Sequence, residues 1–210
     1  MNVGQIPAKW SRQTPDREAV VDATTGRRIT FAELDSGVRK LANALLGLGL
    51  DKGDRVGVLS MNRIEYVTLY FACGRAGLIA QPMNWRLSPP ELKNIVDNGE
   101  PRVFITQGQY VEAAAEVSKM VDCVEHWLQY GNGGDGSYER LVEAASDEEP
   151  PNSSCIGDED PFLILYTGGT TGESKGALHS HKSVGVMMLG QTVAERIIPR
   201  AHAANKEPRG

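Results

Sequence analysis

Tyr166–His181 reads YTGGTTGESKGALHSH, directly behind an apolar run, Phe162-Leu163-Ile164-Leu165. Sixteen residues hold four glycines, three threonines, two serines and one lysine. Glycines let a backbone bend until successive N–H groups face one anion. Hydroxyls at Thr167, Thr170, Thr171 and Ser174 add donors, and Lys175 adds a compact positive charge. A strand, then this loop, then a helix from Ser183 to Ile197 is the expected order, an arrangement that cradles polyphosphate. The ATPase phosphate loop is excluded by register. That loop has Gly immediately before its Lys and Ser or Thr after it, whereas Ser174 precedes Lys175 and Gly176 follows it.

Upstream of the loop, strand and helix signals alternate. Ala19–Asp22 and Ile29–Phe31 flank a glycine-containing turn and predict a β-hairpin. Thr30 and Glu33 have capping-box spacing, and Phe31, Leu34, Val38, Leu41 and Leu45 recur at helical intervals. Strands are expected at Arg55–Ser60, Leu78–Pro82, Val103–Thr106 and Asp122–Leu128, with helices at Arg63–Arg75, after Ser88-Pro89-Pro90-Glu91, and at Val111–Met120. This alternation predicts an α/β fold, a layered and mostly parallel sheet with flanking helices. GNGGDG at Gly131–Gly136 reads as a flexible loop. The segment 146–161, with six acidic residues and three prolines, reads as a solvated linker that delivers the chain to the phosphate loop 166–176.

Composition narrows the function. The 210 residues carry a net charge of −5, the wrong sign for a nucleic-acid surface. No run reaches the ~18 apolar residues of a membrane span, and the N-terminus lacks the order of a secretion signal. Cys73, Cys123 and Cys155 are too scattered for a disulfide framework or zinc site, so a cytoplasmic protein is expected.

Tyr166–Gly176 resembles the signature loop of the AMP-dependent synthetase and ligase family, the adenylate-forming enzymes, and within it the acyl-CoA synthetases. IPAKWSRQTPDREAVVD, ITFAEL and GDRVGVLSMNRIEYVTLYFACGRAGLIAQPMNWRLSPPEL are similar, in order, to the family's opening hairpin, first helix and first nucleotide-fold segment. The resemblance implies ATP-dependent adenylation of a carboxylate, with Mg²⁺, followed by transfer to coenzyme A. Thr167, Gly168, Gly169, Thr170, Thr171, Gly172 and Lys175 would hold the β- and γ-phosphates. Two positions depart from the pattern: the family usually has Ser at Gly168 and Pro at Ser174. A lost neutral hydroxyl contact costs about 0.5–1.5 kcal/mol, and serine in place of proline loosens the free loop by about 0.4–1 kcal/mol. Neither change removes a phosphate site.

The resemblance makes 1–198 part of an N-terminal adenylation domain and leaves 199–210 as a polar, disordered tail. Family members are more than twice as long. The segments around adenine, ribose and Mg²⁺, and the C-terminal domain with its catalytic lysine, have no counterpart here. The expectation is therefore a phosphate loop without catalysis by this chain alone. The alternative is a non-catalytic binding or assembly module that complements, or competes with, a second ligase chain. His179 and His181 are read as structural or exposed, and Trp85-Arg86 as packing.

Overall fold

The computed structural model describes residues 2–131, 136–167 and 174–191. Of the expectations above, the tail 199–210, most of GNGGDG and the loop residues Gly168–Gly172 lie outside them.

The chain enters through a short 3-10 turn, Val3–Gln5, and helix α1, Ile6–Gln13. Strands β1 (Glu18–Val21) and β2 (Arg28–Thr30) pair antiparallel as the expected hairpin. Gly26 takes the left-handed φ of 72° in its turn. Helix α2 (Phe31–Gly47) begins with the capping box: Thr30 N donates to the Glu33 carboxylate at 2.7 Å, and Glu33 N donates to Thr30 Oγ1 at 3.2 Å.

The main body then alternates strand and helix. In order come β3 (Arg55–Leu59), α3 (Ile64–Ala76), β4 (Ile79–Met83), α4 (Pro89–Gly99), β5 (Val103–Gln107), α5 (Val111–Ser118), β6 (His126–Tyr130) and α6 (Ser137–Ala144). Strands β7 (Pro161–Thr167) and β8 (Lys175–Ser180) follow, and then a helical stretch, α7, over 181–191. The sheet order is β6-β5-β3-β4-β7-β8. Every neighbouring pair is parallel except β7 with β8, which is antiparallel.

Alternation along the strands sends side chains to two cores. Val56, Val58, Val103 and Ile105 face α2, α3 and α6, where Leu41, Leu45, Leu69 and Tyr138 meet them. Leu59, Met83 and Phe104 face α4 and α5, against Leu92, Ile95, Val96 and Val117. A third, smaller cluster of Ile29, Leu34, Val38 and Ile64 seats the hairpin on α2 and α3. The result is a three-layered α/β fold, as expected.

The expected helix is present from residue 181, but a strand that was not expected precedes it. Lys175–Ser180 returns alongside β7, with Thr167 opposite Lys175 and Tyr166 opposite Gly176. Strands β7 and β8 thus form an antiparallel pair, and α7 starts at residue 181, close to the expected Ser183.

The acidic segment ahead of β7 is tied to the helices. Asn43 Nδ2 donates to the carbonyls of Ser146 and Glu148 at 2.9 and 2.8 Å, and Arg39 Nη2 pairs with Asp147 at 2.9 Å. Arg75 anchors it most firmly. This arginine is 1% exposed and donates to the Gly4 carbonyl, to Asp35 at 3.1 Å, and through two nitrogens to Glu149 at 2.9 and 2.6 Å. Burial opposes the Glu149 charge, but hydrogen bonds from Arg75, Ser153 and Gln5 hold its pKa down to about 2. The turn and α3 touch backbone to backbone: a Cβ on Gly4 would lie 2.2 Å from the Arg75 nitrogen.

Candidate functional site: a hairpin loop beside a strand-end cleft

Strand β7 carries apolar residues inward through Phe162 and Leu163 and becomes more exposed toward Thr167. Thr167 and Lys175 face each other on the last described rung before the loop, and both are exposed. The structure thus brings together two of the seven expected phosphate-binding residues; the other five lie outside the described residues. No ion pair among the described residues engages the Lys175 ammonium. An exposed ammonium with no ion pair among the described residues suits an anionic ligand.

Next to the hairpin is a cleft of about 860 Å³ at the carboxyl ends of the parallel strands, reached by Leu165 and Tyr166. Its place follows from topology. The crossover after β3 leads to β4 on one side, while the crossover after β5 leads to β6 on the other. Connections that diverge in this way open a crevice at the strand ends, where open α/β sheets bind ligands.

The cleft floor is polar and satisfied. Ser60 Oγ donates to the Met61 carbonyl at 2.6 Å and is hydrogen-bonded to the Tyr130 hydroxyl. Met61 N donates to Gln107 Oε1 at 3.1 Å. Burial pushes the Tyr130 phenol up, so it remains protonated and able to donate. One wall carries Asp22, which accepts from Thr24 N and Thr25 N at 2.9 and 3.1 Å and lies 3.2 Å from Arg63 Nε. At the rim the Arg86 guanidinium lies 4.0 Å over the Trp85 ring, and Trp85 stacks on Tyr110. Packing therefore accounts for Trp85 and Arg86, and Asn84 Oδ1 accepts from Arg86 N.

Sequence reading missed Ser60, Gln107 and Tyr130. The usable signal was position: polar residues directly at the ends of apolar strands, where the sheet topology opens a crevice.

The two histidines part company. His179 is half-buried on β8, opposite Leu163. His181 is fully buried, stacked on Phe162, and its Nδ1 accepts from Val3 N at 3.1 Å. Burial lowers its pKa to about 4, against a smaller opposing pull from Asp160. It is a structural residue.

Residues 7–205 match the family model described as AMP-binding enzyme. The chain belongs to the AMP-binding enzyme family. Among curated members, it is 34% identical over 186 residues to the long-chain-fatty-acid–CoA ligase FadD13 of Mycobacterium tuberculosis. It is 33% identical over 182 residues to a feruloyl-CoA synthase of Amycolatopsis sp. These alignments cover 87% and 85% of this chain but 36% and 33% of the relatives, so the chain spans about a third of their length. Of solved structures, the inhibitor-bound N-terminal domain of FACL13 from Mycobacterium tuberculosis superposes with a TM-score of 0.80 at 30% identity, covering 88% of this chain and 45% of that one. ATP-bound MatB from Rhodopseudomonas palustris superposes with a TM-score of 0.74 at 30% identity, covering 93% and 38%. The match to this AMP-binding family accounts for the order of hairpin, parallel sheet and glycine-rich loop.

Proposed function

We propose that this chain supplies the polyphosphate grip of an acid–thiol ligase: a protein that activates a small carboxylate with ATP and passes the acyl group to coenzyme A. The observation that carries the reading is the rung Thr167–Lys175. There a hydroxyl residue and an ammonium that forms no ion pair among the described residues stand opposite each other where the glycine-rich segment begins and ends, beside a strand-end cleft. Thr167, Gly168, Gly169, Thr170, Thr171, Gly172 and Lys175 are the proposed phosphate-binding set. Their donors suit phosphate oxygens, so Mg²⁺ would arrive as the counter-ion of the bound polyphosphate. Bound Mg²⁺ would neutralise charge on those oxygens. Lys175 and Thr167 would hold the phosphate end, and preorganised donors of this kind stabilise charge as it shifts toward a leaving pyrophosphate. Names of relatives support a carboxylic acid and coenzyme A as the reactants. Three unpaired cysteines support a cytoplasmic protein. Among the described residues, no helix is long and apolar enough to cross a membrane.

Competition binding tests the grip. With Mg²⁺ present, unlabelled pyrophosphate should displace labelled ATP, AMP should displace it poorly, and Lys175→Ala should weaken ATP binding about tenfold or more. AMP competing as well as ATP, or an unaffected Lys175→Ala, would refute the reading.

The second reading, a module that binds a complementing chain, draws on exposed apolar residues. Leu178, Val186, Met187 and Leu189 are each more than half exposed along β8 and α7. The same titration separates the readings, since a module acting only through that face has no affinity for polyphosphate.

A further inference from the structure

The base of the hairpin is held by a contact that reaches it from α4. Tyr166 Oη donates to Asn98 Oδ1 at 2.8 Å, and the Tyr166 ring packs beside the core under α4 and α5. Directly across the hairpin is Gly176. A Cβ there would lie 2.9 Å from Ile164 Cγ2 and 3.0 Å from Tyr166 Cζ. Glycine is thus required for the Tyr166 ring to lie against the facing strand.

Asn98 itself stands on a fixed support. Fully buried Gln81 on β4 donates from Nε2 to the Ile95 carbonyl at 3.0 Å. Next to Asn98, Gly99 leaves space for that side chain: a Cβ on Gly99 would fall 2.1 Å from Gln81 Nε2. A continuous path therefore runs from the central sheet through Gln81, the last turn of α4, Asn98 and Tyr166 to Gly176. The next rung is Thr167 with Lys175.

We infer that Tyr166 and Asn98 are positioning residues that set where Thr167 and Lys175 meet polyphosphate. This rests on the phosphate-grip reading above. Neither residue need touch the ligand; a hairpin base that rocks relative to α4 carries the ammonium with it, and a small misplacement of a binding group costs affinity. Because the hydrogen bond is solvent-exposed, breaking it should leave the folded state largely intact.

The test compares wild type, Asn98→Ala, Tyr166→Phe, the double variant and Asn98→Asp, which keeps an acceptor at the same place. Two quantities are read: Mg-ATP affinity, and hydrogen exchange of the amides of residues 175–177. Each of the first two variants should weaken Mg-ATP about three- to tenfold and speed exchange at those amides, with unchanged urea midpoints. The double variant should be no worse than either single one, because both remove the same bond, and Asn98→Asp should behave as wild type. Wild-type affinity and exchange in Tyr166→Phe, or additive losses in the double variant, overturn the positioning role of the Tyr166–Asn98 pair and leave the grip standing. A wild type that binds no Mg-ATP instead overturns the grip and, with it, the role given to Tyr166 and Asn98.

Discussion

Two arginine- and lysine-centred regions of this protein use positive charge in opposite ways. Around Arg75 every neighbour is committed: two carboxylates and a backbone carbonyl close over a guanidinium that is 1% exposed. At the β7–β8 hairpin the Lys175 ammonium is exposed and no described carboxylate pairs with it. The surrounding apolar side chains are open too, Leu165 at 38% and Leu178 at 59%. The first region spends its charge on holding the N-terminal turn, α2, α3 and the acidic segment together. The second leaves its charge exposed, as the proposed phosphate grip requires. Stability and binding should therefore separate cleanly between them.

The largest expected effect is at Arg75. Arg75→Ala leaves Asp35 with Arg39 as its remaining cation and takes both guanidinium hydrogen bonds from Glu149; breaking a buried pair on one side costs about 3–5 kcal/mol. Urea unfolding should show that loss, and a change below about 1 kcal/mol would remove the network from its central place. His181 comes next. Its folded pKa is lowered from 6.5 to about 4, so the unfolded chain takes the proton first. Stability should accordingly fall as pH drops from 6.5 to about 4, by up to about 3 kcal/mol at ~1.4 kcal/mol per unit. Protonation would also abolish the acceptor that Val3 N uses. Comparing midpoints of wild type and His181→Gln across that range isolates the effect; parallel curves would contradict it. Gly99→Ala is expected to cost about 1–3 kcal/mol by overpacking against Gln81, read from the same unfolding curves. Smallest of all, Lys175→Ala should shift stability by no more than about 0.5 kcal/mol. A large loss there would blur the distinction between the two regions.

What could be seen in the sequence was whatever is encoded locally. Thr30 with Glu33, and Ser88 with Pro89, Pro90 and Glu91, announce helix starts over four residues, and both helices begin there. The apolar strands of the sheet were legible for the same reason. Strand β8 was not: KGALHS has no strong pattern of its own, and its extended form comes from pairing with β7. The helix expected from Ser183 is found from residue 181, while the strand before it was missed. Arg75 and Glu149 are 74 residues apart, and Tyr166 and Asn98 are 68 apart, so neither contact leaves a local trace. The phosphate-binding set proposed for the loop rests on its sequence; the Tyr166–Asn98 contact came only from tertiary structure.

Thermal unfolding of the wild type and Lys175→Ala, each with and without Mg-ATP, is the sharpest test of a polyphosphate grip. A ligand that binds only the folded state adds about 2.7 kcal/mol at a hundredfold excess over Kd. A single cooperative transition should rise with Mg-ATP in the wild type, stay put with AMP, and not rise in Lys175→Ala. Equal shifts in both proteins, or none in either, would contradict a polyphosphate grip at this hairpin.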